Sequence, residues 1–216
     1  MIAETKFGRL ELVEETHQYL LDGVRKPGVT TILSDEGLWY NPNASPGNAA
    51  LGTALHRGAR VVAEGRLDRE KTHPALLPRL DIFAAFLNMT GFQPIMWEQL
   101  VYSDIYQYAG CFDLLGYMRG ILWLIDIKSN VPPQYADLQL ALYEQAAREC
   151  GIIDPSQPVK RFTLALMEAR GNVRIPDKPG DSRSLAIGLS AVTLWHYRRE
   201  KNLLRAEIKN GDHRND

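Results

Sequence analysis

Cysteine is scarce in this sequence, with two in 216 residues, Cys111 and Cys150, far apart and without other soft ligands beside them. That spacing excludes a zinc motif or an iron–sulfur cluster and reads as two reduced, partly buried thiols. Long hydrophobic runs are missing too. No stretch of about eighteen apolar residues occurs, so no membrane-spanning helix is expected. The opening MIAETKFGRLELVEE lacks the basic-then-apolar order of a secretory signal. A soluble, intracellular protein is the expectation. Repeats, low-complexity tracts and long Gly/Ser linkers are likewise lacking, so one domain over residues 1–216 is expected. At 45% hydrophobic and 24% charged residues, that domain can bury a sizeable core.

A large net charge is absent as well. The formal value of -1 points to no polyanionic partner by itself, but the charges are unevenly spread. Residues 1 to 50 hold seven acids against four bases, and residues 157 to 209 hold eleven bases against five acids. Arg57, Arg60, Arg66 and Arg69 add a cationic stretch. These clusters suit either solvated helix faces or a positive groove beside an acidic centre.

Periodicity divides the chain. Phe7 to Val13 and Gln18 to Leu21 read as strands near the turn signal Asp22-Gly23, and Gly28 to Leu33 continues the extended character. Residues 35 to 47 read as a loop, making residues 1–47 a β extension ahead of a core over 48–209. Helices are expected at about Asn48 to Glu64, Pro74 to Asn88 and Gln134 to Cys150. The β-type segments between them are Ile95 to Tyr102, Tyr108 to Met118 and Ile121 to Lys128. Arg161 to Met167 and Val173 to Pro176 read as further strands, Ser184 to Arg205 as a closing helix, and 209–216 as a fraying end.

The segment Ile121-Leu-Trp-Leu-Ile-Asp126-Ile-Lys128 carries the chemistry. Strand alternation puts Asp126 and Lys128 on one face. If Arg119-Gly120 form a two-residue hairpin loop, Met118 pairs with Ile121 and counting back sets Asp113 opposite Asp126. Two carboxylates at the roughly 5 Å of a cross-strand pair repel by about 3 kcal/mol at an effective dielectric near 20. A hard divalent cation such as Mg²⁺ or Mn²⁺ offsets this directly. Glu98, on the preceding strand, supplies a third carboxylate to the same edge. Lys128 there either stabilises an attacked phosphate or, with a lowered pKa, helps to deprotonate water. From the dipeptide spacing alone, an exposed ion pair at a strand end is the better reading of Asp126 and Lys128.

Glu98, Asp113, Asp126-x-Lys128 and a following helix with Gln139-x-x-x-Tyr143 together resemble the PD-(D/E)XK nuclease superfamily, in its RecB-type and phage-type exonuclease branch. The similarity rests on Tyr108-Ala-Gly-Cys-Phe-Asp113-Leu-Leu-Gly, Leu124-Ile-Asp126-Ile-Lys128-Ser129, Gln139-Leu-Ala-Leu-Tyr143 and the upstream Gly52-Thr-Ala-Leu-His56. It covers roughly residues 50 to 145, with a looser likeness in His17-Gln-Tyr-Leu-Leu-Asp-Gly and Val29-Thr-Thr-Ile. Phe112 stands where the family name places proline, as in many members. No counterpart exists for the four cysteines of cluster-bearing relatives.

The resemblance implies a metal-dependent deoxyribonuclease acting in recombination, repair or phage DNA processing, placed in the cytoplasm of a bacterium or a phage host. Asp113 and Asp126 would bind one or two Mg²⁺ or Mn²⁺ ions, with Glu98 direct or through water, His56 completing the sphere and the Ile127 carbonyl contributing. Lys128 would be base or charge stabiliser. Gln139 and Tyr143, on one helix face, would steady that lysine or the DNA strand, and Arg57 or Arg60 would hold flanking phosphates. Monomers and ring-forming trimers both occur among similar nucleases, and a recombination or repair partner is equally open.

The fold expected is α/β: a central mixed β-sheet flanked by helices, a restriction-endonuclease-like core, with an N-terminal β-hairpin. The alternative function is a nuclease-fold module that binds DNA or protein without hydrolysis. Trp97 and Trp123 are expected in the core, Trp39-Tyr40 as a base-stacking pair or loop anchor, and His73, His196 and His213 as surface or capping residues.

Overall fold

The computed structural model describes residues 1–38, 46–129, 136–167 and 182–212. The Trp39-Tyr40 pair, the strand expected at 173–176 and His213 lie outside them.

Two left-handed residue pairs set the tight turns. Asp22 and Gly23 take φ of 49° and 78°, and Arg119 and Gly120 take 51° and 74°. Such pairs match the twist of the strands they join. The first links β3 (Gln18–Leu21) to β4 (Val24–Lys26), the second β6 (Tyr108–Met118) to β7 (Ile121–Lys128).

With β1 (Ile2–Thr5) and β2 (Gly8–Val13), β3 and β4 form a four-stranded antiparallel meander. The expected hairpin is thus half of a sheet. Its outer strands have four and three residues, too short for a hydrophobic period to mark them. The second sheet has the order β5-β6-β7-β8. Its first three strands, starting with β5 (Gln93–Ser103), are antiparallel, and β8 (Val159–Ala165) joins β7 in parallel.

Helices cover both faces of this mixed sheet. On one side α2 (Pro46–Ala63) and α3 (Leu77–Thr90) pack Leu55, Leu80, Phe83 and Phe86 against Trp123, Ile125 and Ile127. On the other, α4 (Ala136–Glu149) packs Leu138, Leu142 and Ala146 against Leu122 and Leu124, backed by α1 (Val29–Asp35) and α5 (Ser182–Asp212). The class is α/β. The meander packs Leu10, Leu12 and Tyr19 on Leu100, Tyr102 and Ala109.

Two expectations fail locally. Gly28 to Leu33 is not extended: Val29 opens α1. β-branched residues favour strands, but Val29, Ile32 and Leu33 have helical spacing and are 1%, 0% and 0% exposed, so burial overrides propensity. The closing helix, expected to end near Arg205, runs on to Asp212. Trp123 is core, and Trp97 packs against that core. Among the described residues no helix is long and apolar enough to cross a membrane.

Candidate active site

In β7, Trp123, Ile125 and Ile127 face the α2/α3 layer while Leu122 and Leu124 face α4. Alternation then puts Asp126 and Lys128 on the α4 side. Lys128 Nζ donates to Asp126 Oδ1 at 2.7 Å. The pair is not the exposed one: the Asp126 side chain is 3% accessible and that of Lys128 25%.

The β6–β7 ladder keeps the expected register from Met118↔Ile121 to Leu114↔Ile125 and then stops. One step on, Asp113 would face Asp126, but there the strands part. β7 continues beside β8, pairing Asp126 with Thr163 and Lys128 with Ala165, while β6 continues beside β5. Side chains take up the backbone groups freed at Ile127. Its N–H donates to Asp113 Oδ2 at 2.6 Å, and its carbonyl accepts from His56 Nε2 at 2.9 Å. Because a carbonyl only accepts, Nε2 carries a proton. His56 Nδ1 lies 3.5 Å from Asp113 Oδ1. A carboxylate, an imidazole and a split ladder thus meet at one residue, Ile127.

Glu98 lies at the same level of β5. Trp97 pairs with Leu114 and Gln99 with Phe112, while Glu98, between them, has a φ of 46°. For a non-glycine residue that conformation costs about 1 to 2 kcal/mol. It coincides with a reversal of the pleat. Met96 and Val101, five apart, both face the α4 layer, as do Phe112 and Leu115, three apart. Unbroken alternation would put each pair on opposite faces. Both site acids of these strands sit where the sheet changes face, which strict alternation could not foresee.

Glu98, Asp113, Asp126 and Lys128 all line one cleft of about 460 Å³, together with His56, the Ile127 backbone, Gln139 and Tyr143. Gln139 Nε2 donates to the Tyr143 hydroxyl at 2.7 Å, one turn along α4. Gly110 makes room for that ring, since a Cβ there would lie 2.4 Å from Tyr143 Cε1. Arg57 lines the cleft. Arg60 is engaged elsewhere, with Glu64 at 3.2 Å, and Arg66 and Arg69 pair with Glu64 and Asp81. His73 caps the backbone of Ala75.

The meander supplies a wall that sequence reasoning missed, made by Leu12, Glu14, His17 and Tyr19, with Thr30 of α1. Their only signal was the loose likeness around His17. Burial, with Cys111 and Asp113 nearby, lifts the Tyr19 hydroxyl well above the usual phenol range.

Electrostatics single out Asp126. Burial lifts its carboxyl from 3.8 to about 6, against the pull of Lys128 and with a further push from Asp113. Lys128 moves upward: burial works to lower it, but Asp126 and Asp113 outweigh burial. Lys128 is therefore held as an ammonium, which suits charge stabilisation and not a base. Asp126 Oδ2 and Gln139 Oε1 are buried without a hydrogen-bond partner among the described residues.

The donor set is oxygen-rich, as hard cations prefer. Among the described residues, no three His, Cys, Asp or Glu side chains form a complete metal-holding group by themselves. Comparison with protein-family models and with curated proteins gave no match.

Proposed function

We propose that this chain is a Mg²⁺- or Mn²⁺-dependent nuclease of the PD-(D/E)XK type that hydrolyses DNA phosphodiester bonds, acting as an exonuclease. One observation carries the reading: Asp126, 2% exposed, has Lys128 on one oxygen and, among the described residues, no partner on the other, beside Asp113. Leaving a buried charged acceptor unsatisfied costs at least about 1 to 3 kcal/mol, which a structural role does not offset. A divalent cation does offset it. The restriction-endonuclease-like core is supported by three antiparallel strands, a parallel fourth, and helices on both faces.

In this reading Asp113 and Asp126 would hold the ion or ions, Glu98 would do so directly or through water, and the Ile127 carbonyl and His56 would complete the set. A bound ion would lower the pKa of a water and neutralise charge on the attacked phosphate. Lys128, fixed by Asp126, presents its ammonium where negative charge grows on the phosphoryl oxygens. Gln139 and Tyr143 steady the strand, and Arg57 holds a flanking phosphate.

The test is digestion of end-labelled linear against closed circular DNA with Mg²⁺ or Mn²⁺. Cleavage of the linear form alone, lost in Asp126→Ala and in Lys128→Ala, is expected. Full activity in either variant refutes the assignment. A DNA- or protein-binding module without hydrolysis is the second reading. Metal-dependent thermal stabilisation without nucleotide release would select it.

A further inference from the structure

Beside the acidic cleft lies a second pocket of opposite character. It measures about 340 Å³ and is lined by Arg25, Lys26, Thr31, Trp195 and Arg199, with His17. None of its described lining residues is acidic. Three cations in one concavity stand out in a chain whose formal net charge is -1.

The three cations are held in different ways. Lys26 Nζ bonds a neutral partner, Gln107 Oε1, at 2.9 Å and lies 5.4 Å from the centre of the Tyr102 ring. The Arg199 guanidinium sits 4.0 Å from the centre of the Trp195 ring, with Asp35 Oδ2 at 3.4 Å. Trp195 Nε1 donates to the same Asp35 oxygen at 2.8 Å, so the platform under Arg199 is fixed. Arg25 is exposed at the rim. A planar guanidinium with several N–H donors suits phosphate oxygens.

His17 connects the two cavities, lining both. Its ring packs edge-on against Tyr19 at 5.8 Å, which holds it as a polar contact between the two cavities. Phosphates are repelled by the carboxylates of the cleft unless a cation is bound there, whereas the Arg25 pocket attracts them without one. A strand passing over His17 would reach both.

We propose that the pocket formed by Arg25, Lys26 and Arg199 binds a phosphate of the nucleic-acid strand whose neighbouring segment lies in the acidic cleft, with His17 under the connecting sugar. This rests on the nuclease reading and assigns a second subsite to it, one that works without metal.

The experiment titrates a fluorescent single-stranded oligonucleotide into the full chain in EDTA, across a salt series. Arg25→Gln is expected to weaken binding and to flatten the plot of log K against log salt by about 0.7, the value for one lost phosphate contact on a single strand. Arg25→Glu should weaken binding further, and Arg25→Lys should restore most of the slope. Oligonucleotides with a 5′-phosphate or a 5′-hydroxyl separate the sources: equal loss on both marks an internal phosphate, loss on the phosphorylated one alone a terminal phosphate. Wild-type affinity and slope in both Arg25→Gln and Arg25→Glu overturn the proposal. If cleavage still depends on metal and Asp126, only the subsite has failed. Arg25-dependent binding without cleavage would leave the subsite standing and remove the nuclease reading.

Discussion

Asp126→Asn removes a buried charge that the fold holds at a cost, and its signature is a pH dependence. The wild-type carboxyl is lifted from 3.8 to about 6 by burial, so the folded state binds its proton more tightly than the unfolded chain does. The stabilising contribution is then complete below about 3.8 and is lost as pH rises through about 6, by about 3 kcal/mol at neutral pH. Asparagine keeps the shape and an acceptor for Lys128 but does not titrate. Lys128, charged throughout this range, adds a constant to the comparison and not a slope. Urea unfolding in EDTA between pH 4 and pH 7.5 should show the variant gaining on the wild type by roughly 2.4 kcal/mol across that window. Saturating Mg²⁺ or Mn²⁺ should offset most of the wild-type loss at pH 7, because the ionised form is the one that binds: about 2.7 kcal/mol at a hundredfold excess over Kd. A stability difference that stays flat with pH would show that Asp126 is not held against its charge, and the case for a cation site would go with it.

Gly110→Ala places a methyl group 2.4 Å from Tyr143 Cε1. Tyr143 is 5% exposed and tied to Gln139, so overpacking should cost about 1 to 3 kcal/mol and lower cleavage, read from thermal melts and steady-state kinetics. Arg79 Nη1 donates to the carbonyls of Ser129 and Leu166 at 2.6 and 2.7 Å, pinning the end of β7 just past Lys128. Arg79→Met should lower kcat with KM little changed and cost about 1 to 3 kcal/mol for the two carbonyls left unpaired; an unchanged kcat would sever Arg79 from Lys128.

Much of the site could be read from residue order, because its central elements are local. Arg119-Gly120 fixes the β6–β7 register by backbone conformation alone, and period two then puts Asp126 and Lys128 on one face. Four-residue spacing joins Gln139 to Tyr143. What could not be read depends on contacts between distant segments. The register predicts Asp113 opposite Asp126, yet β8, some thirty-five residues later, draws β7 away and leaves Asp113 to bond the Ile127 amide. The left-handed turn at Glu98 has no marker in its neighbours, since glutamate is not a residue that favours positive φ. The meander wall was missed because β1 and β4 are short, and because His17 and Tyr19 gain meaning only once the meander packs beside Asp113. Arg60, counted with the phosphate-facing cations by charge alone, is turned to Glu64 one helical turn away.

The parting of β6 from β7 explains why these residues share a place at all. A continuous ladder would bond the Ile127 amide and carbonyl to β6 and leave no room for carboxylate or imidazole at that level. Once the strands separate, two backbone groups need partners within a largely buried edge, and Asp113 and His56 satisfy them from different elements. The same gap opens the cleft onto Asp126 and Lys128. On the nuclease reading the carbonyl of Ile127, which accepts from the His56 N–H, would also be open to a cation, and that reading can be tested at this atom. It predicts that His56→Ala leaves the carbonyl free and weakens metal binding less than Asp113→Ala, which removes a charge as well as the Ile127 amide bond. Isothermal titration of both variants with Mn²⁺ measures the order, and a greater loss in His56→Ala would mean that the imidazole is itself a principal ligand.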